Sequence, residues 1–188
     1  MVLDQDAFAD GQIGSKIWLC ETLESLLANT SQEPVIWIFG GWYGVLAFLL
    51  FARARIRISG IRSFDLDPKA EPIADILNNH WEIDRWRFKS HTHDVNKIDF
   101  LAYGPKPDII INTSCEHFKS MEWWDRIPSE IRVVLQATDM MAGDHVNRVL
   151  SMEQMQNRFH LKTVQFRGEK KFHYPDFSFT RYMVIGYK

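Results

Sequence analysis

The chain alternates short continuous runs of apolar residues with longer stretches in which apolar residues recur every three or four positions. A continuous run such as 34–39 is typical of a strand covered on both faces, whereas the periodic stretches predict helices. Strands are predicted at 34–39, 58–65, 86–90, 107–111 and 132–136, and helices at 15–27 (capped by Ser15), 44–54, 68–79, from 115 or 118 towards Pro128, and 151–159. Two alternating segments at the end of the sequence, 161–166 and 179–186, predict antiparallel strands separated by a polar stretch.

Strands that alternate with helices predict right-handed crossovers and a mostly parallel sheet. We therefore expect one α/β domain over 1–188, with helices on both faces of the sheet and an antiparallel C-terminal strand pair. Residues 1–33 form an N-terminal helical segment in this interpretation, and 34–188 form the sheet core. Ligands of such sheets bind outside the carboxyl ends of the strands, so the residues that follow each strand are the candidates for function.

Composition narrows the class of protein. The 188 residues are 46% hydrophobic and include 13 Phe, 5 Tyr and 7 Trp, which excludes a disordered chain. The formal net charge of −2 disfavours nucleic acid as the main partner. The acidic start of the sequence has no signal-peptide pattern, and glycines interrupt the apolar run 35–51, so we expect a cytoplasmic protein without a membrane anchor. An oligomer is compatible with the sequence.

Two features in the right order suggest a nucleotide-like ligand. The first strand ends in a glycine-rich turn, Gly40 to Gly44, where glycine permits close approach of the backbone to a ligand. The second strand ends at Asp65, about 20 residues later, the spacing at which an acid accepts hydrogen bonds from ribose hydroxyls. Each feature alone also fits a purely structural role, as a tight turn or a helix cap.

Four segments together resemble the motif series of class I S-adenosylmethionine-dependent methyltransferases. They are VIWIFGGWYGVLA (35–47), FDLDP (64–68), HDV (93–95) and DIIIN (108–112). The resemblance covers nearly the whole chain and is greatest to small stand-alone methyltransferase-like proteins of phage and bacterial genomes. It implies a Rossmann-like fold, S-adenosylmethionine as cofactor, and methyl transfer to a small-molecule acceptor by in-line displacement.

The resemblance also implies a set of site residues. Gly40 and Gly44 would flank the methionine moiety, Asp65 would hold the ribose, Asp94 would face the adenine amino group, and Asn112 would lie beside the sulfonium. The full cofactor-binding set is Phe39, Gly40, Gly41, Trp42, Gly44, Asp65, Leu66, Asp94, Val95 and Asn112.

Two positions depart from the family pattern. Ile38 stands where the family usually has an acid, and Trp42 stands where it has the central glycine. These departures keep two alternatives open. One is other chemistry on the same cofactor, namely its cleavage or transfer of its aminocarboxypropyl group. The other is a non-catalytic Rossmann-like binding module, which a surface apolar patch at Trp123 and Trp124 would support.

Catalytic candidates follow the fourth and fifth strands. Asn112, Asp139, His117 and His145 form this set, and the histidines have the pKa range of general bases. Cys115 is a weaker candidate nucleophile, because a cysteine is more often a small buried residue. The histidines and neighbouring acids show no strong metal-ligand spacing such as H-E-x-x-H, so we expect no metal.

Overall fold

The computed structural model describes residues 4–53 and 55–188 and has a seven-stranded sheet at its centre. The strands are β1 (Val35–Phe39), β2 (Gly60–Asp65), β3 (Phe88–Thr92), β4 (Ile109–Asn112), β5 (Arg132–Thr138), β6 (Thr163–His173) and β7 (Ser178–Tyr187). Their spatial order is β3-β2-β1-β4-β5-β7-β6. The first five strands are parallel, while β7 runs antiparallel to both β5 and β6. The predicted sheet, mostly parallel with an antiparallel C-terminal pair, is confirmed.

The helices pack on both faces of this sheet. They are α1 (Asp10–Leu27), α2 (Val45–Ala52), α3 (Ala70–Leu77), α4 (Asn79–Ile83), α5 (Glu122–Arg126) and α6 (Met152–Arg158). Because successive strand side chains point to opposite faces, alternate residues of β1 enter different cores. Ile36 and Ile38 pack with α1 and α2, whereas Trp37 and Phe39 pack with the apolar residues of α5 and α6. No helix in the described ranges is long and apolar enough to cross a membrane.

The N-terminal helix begins five residues earlier than predicted. A 3-10 turn, Gln5–Phe8, precedes it, and the Asp4 carboxylate accepts a hydrogen bond from the Asp6 amide at the start of that turn. Ser15 is therefore not a helix cap. It is buried inside α1, where its hydroxyl donates to the Gln12 carbonyl oxygen. The predicted end of the second helix, Ala54, lies outside the described residues, and α2 ends at Ala52.

Three other boundaries differ from the sequence prediction. Strand β3 starts two residues late because Arg85 and Trp86 adopt left-handed φ angles of 55° and 58°. Cys115–His117 is a 3-10 turn, and the helix of that region is α5. Strand β6 continues to His173 through the stretch predicted to be a polar loop. That strand lies at the edge of the sheet with alternate residues exposed, so polar residues there do not interrupt it.

Candidate functional site

A cleft of about 860 Å³ runs across the carboxyl ends of the parallel strands, beneath the N-terminal segment and the β6–β7 turn. Such volumes are typical of small-molecule sites. One end, which we call the glycine end, is formed by Gly40, Gly41, Trp42, Asp65 and Asp94. The other, which we call the histidine end, is formed by Lys16, His117, His145 and Arg181, with Glu116 buried beneath them.

The glycine turn is held by backbone hydrogen bonds to the end of β2. The amides of Gly40 and Gly41 both donate to the Phe64 carbonyl oxygen, at 2.9 and 3.1 Å. A Cβ atom at Gly41 would lie 1.9 Å from Ser63 Oγ, so any other residue would require the Ser63 side chain to move. The amides of both glycines are therefore used inside the protein, and the turn presents its Cα atoms rather than free donors to the cleft.

Trp42 occupies the position of the missing glycine with glycine-like geometry. Its φ of 46° lies in the left-handed region, which is costly for a residue with a side chain. Two interactions offset this cost. The Trp42 amide donates to Asp65 Oδ2 at 2.7 Å, and its indole stacks on Tyr43 with ring centroids 4.6 Å apart. The indole is therefore part of the cleft wall, and the cleft keeps its volume beside it.

Asp65 connects the two predicted motifs directly. Besides the Trp42 amide, its carboxylate accepts the amide of Asp67 at 3.0 Å through the other oxygen. A carboxylate has about four acceptor sites, so each oxygen retains a lone pair for a ligand donor. Asp67 instead accepts the Lys69 amide at the approach to α3.

The turn after β3 adds further polar groups to the glycine end. Asp94 Oδ1 accepts two hydrogen bonds from Asn96, which leaves Oδ2 the less engaged oxygen. His93 Nδ1 lies 2.9 Å from the Tyr103 hydroxyl, and its Nε2 is buried without a hydrogen-bond partner among the described residues. Both residues line the cleft, as do the exposed Leu66 and the buried Val95.

A buried ion pair underlies the histidine end. Arg181 on β7 donates to Glu116 Oε1 at 2.5 Å and to the Thr113 carbonyl oxygen at 3.3 Å. Arg181 is 4% exposed and Glu116 is fully buried. Glu116 Oε2 and Arg181 Nε are left without hydrogen-bond partners among the residues that the structure describes. The pair thus keeps unused bonding capacity beside the cleft.

Lys16 of α1 supplies a second buried cation. It is 9% exposed, and its amine donates to the carbonyl and side-chain oxygens of Gln12 rather than to a carboxylate. Burial, reinforced by the positive charge of Arg181, lowers the pKa of Lys16 to about 7. Near neutral pH this side chain can therefore be either an ammonium or a free amine.

The structure brings His117 and His145 together although 28 positions separate them in the sequence. Their ring centroids are 4.7 Å apart at an angle of 89°. His145 Nδ1 lies 2.8 Å from the Met140 carbonyl oxygen, and His117 Nδ1 lies 3.2 Å from an oxygen of Asp144. Both rings line the cleft, where predicted catalytic groups were expected.

Three other predicted residues lie away from the cleft surface. Asn112 is buried and accepts the Ser114 amide at 2.9 Å. Asp139 accepts the Thr180 amide at 2.7 Å and thereby joins the end of β5 to β7. Phe39 is a core residue packed between Phe64 and Trp123. None of the three is among the residues that line the cleft in the described ranges.

Several residues of the histidine end were missed by the sequence analysis. Lys16 and Arg181 look like surface charges in the sequence, although Arg181 interrupts the apolar pattern of the last strand.

An aromatic wall was also missed. Tyr174 stacks on Phe177 with centroids 4.8 Å apart, and both rings lie near Phe179. All three line the cleft, and the clustering of aromatic residues at 172–179 was the available signal.

The structure does not support the roles suggested for two weaker candidates, Cys115 and the pair of Trp123 and Trp124. Cys115 is fully buried, and burial raises the pKa of its thiol well above the usual value, so it is not an activated nucleophile. Trp123 and Trp124 are buried against Phe159. They do not form the surface patch that would have supported a binding module.

Among known proteins, neither a family model nor a curated sequence matches this chain. Solved structures do. A protein from Pyrococcus horikoshii described as a candidate RNA methyltransferase has a TM-score of 0.65 at 15% identity, over 93% of this chain and 84% of that one. The N-methyltransferase NodS from Bradyrhizobium japonicum has a TM-score of 0.63 at 12% identity, over 96% and 100%.

A third similar structure is the magnesium protoporphyrin IX methyltransferase of Synechocystis, solved with bound S-adenosylmethionine. Its TM-score is 0.61 at 13% identity, over 94% of this chain and 82% of that one. At such identities the likeness concerns the arrangement of the backbone. The chain therefore has the fold of the class I S-adenosylmethionine-dependent methyltransferases.

Proposed function

We propose that this protein transfers the methyl group of S-adenosylmethionine to a small-molecule acceptor by in-line displacement. One observation carries the proposal: a single cleft joins the glycine end, with its two carboxylates, to the histidine end, with its candidate bases. The magnesium protoporphyrin IX and plantazolicin methyltransferases, which share the fold, have structures with S-adenosylmethionine or S-adenosylhomocysteine bound. Their likeness supports the same cofactor here.

The glycine end has the bonding capacity that this cofactor requires. Asp65 retains a lone pair on each oxygen for the ribose hydroxyls, and Asp94 Oδ2, which has only the exposed Lys97 amine 3.9 Å away, can accept from the adenine amino group. His93 Nε2 is a buried polar atom without a partner among the described residues, and it lies in the wall of the same cleft. A polar ligand would offset the cost of leaving it unpaired.

When bound, the cofactor supplies a methyl group that its sulfonium already activates. The contribution of the protein is then to align donor and acceptor, to exclude water, and to take a proton where the acceptor has one to lose. We assign the proton transfer to His117 and His145, whose rings line the cleft. Asn112 and Asp139 act as positioning residues, because they hold the Ser114 turn and the start of β7 from behind.

The histidine end also favours a particular kind of acceptor. The wall of Tyr174, Phe177 and Phe179 offers stacked aromatic faces, and beside it lie the Lys16 amine and the Arg181 guanidinium, which is paired with Glu116 but keeps an unpartnered Nε among the described residues. This combination fits a planar molecule that carries a negative charge. A net charge of −2 disfavours a long polyanion such as RNA as the acceptor.

Calorimetric titration of the protein with S-adenosylmethionine tests the proposal. We expect saturable binding that Asp65→Ala weakens at least tenfold, about 1.4 kcal/mol. Asp99→Ala is the matched control, because Asp99 also accepts a backbone amide in a turn but lies outside the cleft. Absence of binding to the wild type, or equal weakening by both variants, would contradict the proposal.

The product formed from S-adenosylmethionine in the presence of a bound acceptor distinguishes methyl transfer from other chemistry on the same cofactor. Methyl transfer yields S-adenosylhomocysteine, whereas cofactor cleavage or aminocarboxypropyl transfer yields methylthioadenosine or other fragments. This check is needed because the amides of Gly40, Gly41 and Trp42 donate to groups of the protein itself. They are therefore not available as donors to the methionine moiety.

A further inference from the structure

Glu116, His117 and His145 form a compact cluster that the proposed reaction does not fully use. The first two belong to the 3-10 turn after β4, and His145 belongs to the loop between β5 and α6. One ligand atom from each, a carboxylate oxygen and two imidazole nitrogens, lies within 4.8 Å of the other two. Two histidines and one carboxylate are a common ligand set for divalent transition metals.

The outer contacts of the histidines are those of metal ligands. A carbonyl oxygen can only accept, so its contact with His145 places the proton on Nδ1 and leaves the Nε2 lone pair free. His117 Nδ1 lies 3.2 Å from an oxygen of the Asp144 carboxylate. Metal-binding histidines characteristically have a backbone carbonyl or a carboxylate at the second nitrogen, which fixes the tautomer and the ring orientation.

Glu116 provides the independent observation that a ligand is missing. Its side chain is fully buried, Oε1 is bonded to Arg181, and Oε2 has no hydrogen-bond partner among the described residues. An unpaired oxygen of a buried carboxylate is costly. Arg181 balances the single negative charge of Glu116 but contacts only Oε1, so Oε2 keeps its lone pairs for a cation.

We propose that Glu116, His117 and His145 bind one divalent transition-metal ion, with Asp144 beside His117; with the ion bound, the two histidines serve as its ligands and not as the proton acceptors of the metal-free protein. Metal–ligand bonds of about 2.0–2.2 Å place the ligand atoms about 3.0–3.5 Å from one another. Side-chain rotations that move these atoms by about an ångström would therefore bring them to the ion. Because His117 and His145 line the cleft, the open coordination positions face the acceptor space. There the ion would bind and polarise an acceptor oxygen.

Binding of a metal ion distinguishes the proposed site from a cluster of side chains that only transfer protons. A tag-free full-length chain, freed of metal by a chelator, is titrated with Co²⁺ without S-adenosylmethionine, and binding is followed by calorimetry and visible absorption. We expect one Co²⁺ per chain, d–d absorption bands, and displacement by Zn²⁺. Omitting the cofactor makes the outcome independent of whether the proposed methyl transfer is correct.

Matched histidine variants locate the ion. His145→Gln and His117→Gln should each weaken Co²⁺ binding at least tenfold, while His160→Gln should leave it unchanged because His160 is exposed and outside the cleft. Circular dichroism establishes that each variant is folded. The proposal is overturned if the wild type shows no saturable binding, or if His145→Gln and His117→Gln bind Co²⁺ as tightly as His160→Gln does.

Discussion

The two ends of the cleft satisfy their polar groups in opposite ways. At the glycine end, the amides of Gly40, Gly41 and Trp42 are all bonded to the end of β2, across 23 or 24 positions of sequence. At the histidine end, Arg181 and Glu116 pair across 65 positions of sequence and leave buried atoms without partners. The three turn amides are thus paired without a ligand, although His93 Nε2 at the same end is not, whereas the histidine end leaves both a carboxylate oxygen and a guanidinium nitrogen unpaired among the described residues.

This difference separates two ways of building a binding surface. The backbone of the glycine end is fixed by its hydrogen bonds to the end of β2, so it can present a preformed wall to a cofactor. The histidine end concentrates charge in a region of low dielectric, where each group is stabilised only by its neighbours. We therefore expect substitutions at the histidine end to have the larger effects on stability.

The largest effect is expected from breaking the buried ion pair. Arg181→Met leaves the Glu116 carboxylate buried and uncompensated, which should lower the free energy of unfolding by about 3–5 kcal/mol. Urea denaturation measures this change. In the double variant Glu116→Gln/Arg181→Met neither position carries a charge, so part of the loss should be recovered.

An exposed ion pair provides the control for this prediction. Lys106 lies 2.5 Å from Glu130, with half or more of each side chain exposed. Lys106→Met should cost far less than Arg181→Met, because solvent screens the pair. If Arg181→Met costs no more than Lys106→Met, the two ends of the cleft do not differ as described.

A pH-dependent effect of intermediate size is expected from Lys16. Its pKa is lowered to about 7 in the folded protein, first by burial and then by Arg181, whereas an unfolded lysine titrates near about 10.4. Between these values the unfolded state binds more protons, so the free energy of unfolding rises with pH by up to about 1.4 kcal/mol per unit. Below pH 7 the cost of the buried ammonium is fully present.

Lys16→Met isolates this contribution from that of other groups. Urea denaturation at pH 7.5 and pH 9.0 should show the wild type gaining up to about 2 kcal/mol relative to the variant. Lys162→Met, at an exposed position near the start of β6, should behave like the wild type. A wild type and a Lys16→Met variant with parallel pH profiles would mean that Lys16 titrates as an ordinary lysine.

The same division explains what could be predicted from the sequence. The glycine turn, Asp65 and Asp94 stand at strand ends and are marked by residue types with a specific local use. The alternation of strands and helices likewise predicted the sheet and its antiparallel C-terminal pair. Local patterns do not reveal that Lys16 and Arg181 are buried, because a lysine or arginine in an amphipathic segment is ordinarily exposed.

Long-range pairing also accounts for the boundary errors. The 3-10 turn at Cys115–His117 is tied to β5, β7 and the loop after β5, through contacts that no local propensity encodes. Strand β6 extends through a polar segment because β7 provides a partner along its whole length. The sequence pattern at 168–173 alone predicted a loop, and the tertiary context outweighed that preference.

The smallest effect tests the local strain that the glycine end does contain. Trp42→Ala and Trp42→Gly both remove the indole and its stacking on Tyr43, so their difference reports the backbone alone. Because φ is 46°, glycine relieves strain that alanine retains, and Trp42→Gly should be the more stable variant by about 1 kcal/mol. At the exposed Leu101, where φ is not positive, alanine should be the more stable replacement. If Trp42→Gly is not more stable than Trp42→Ala, the left-handed φ at this position is not a source of strain.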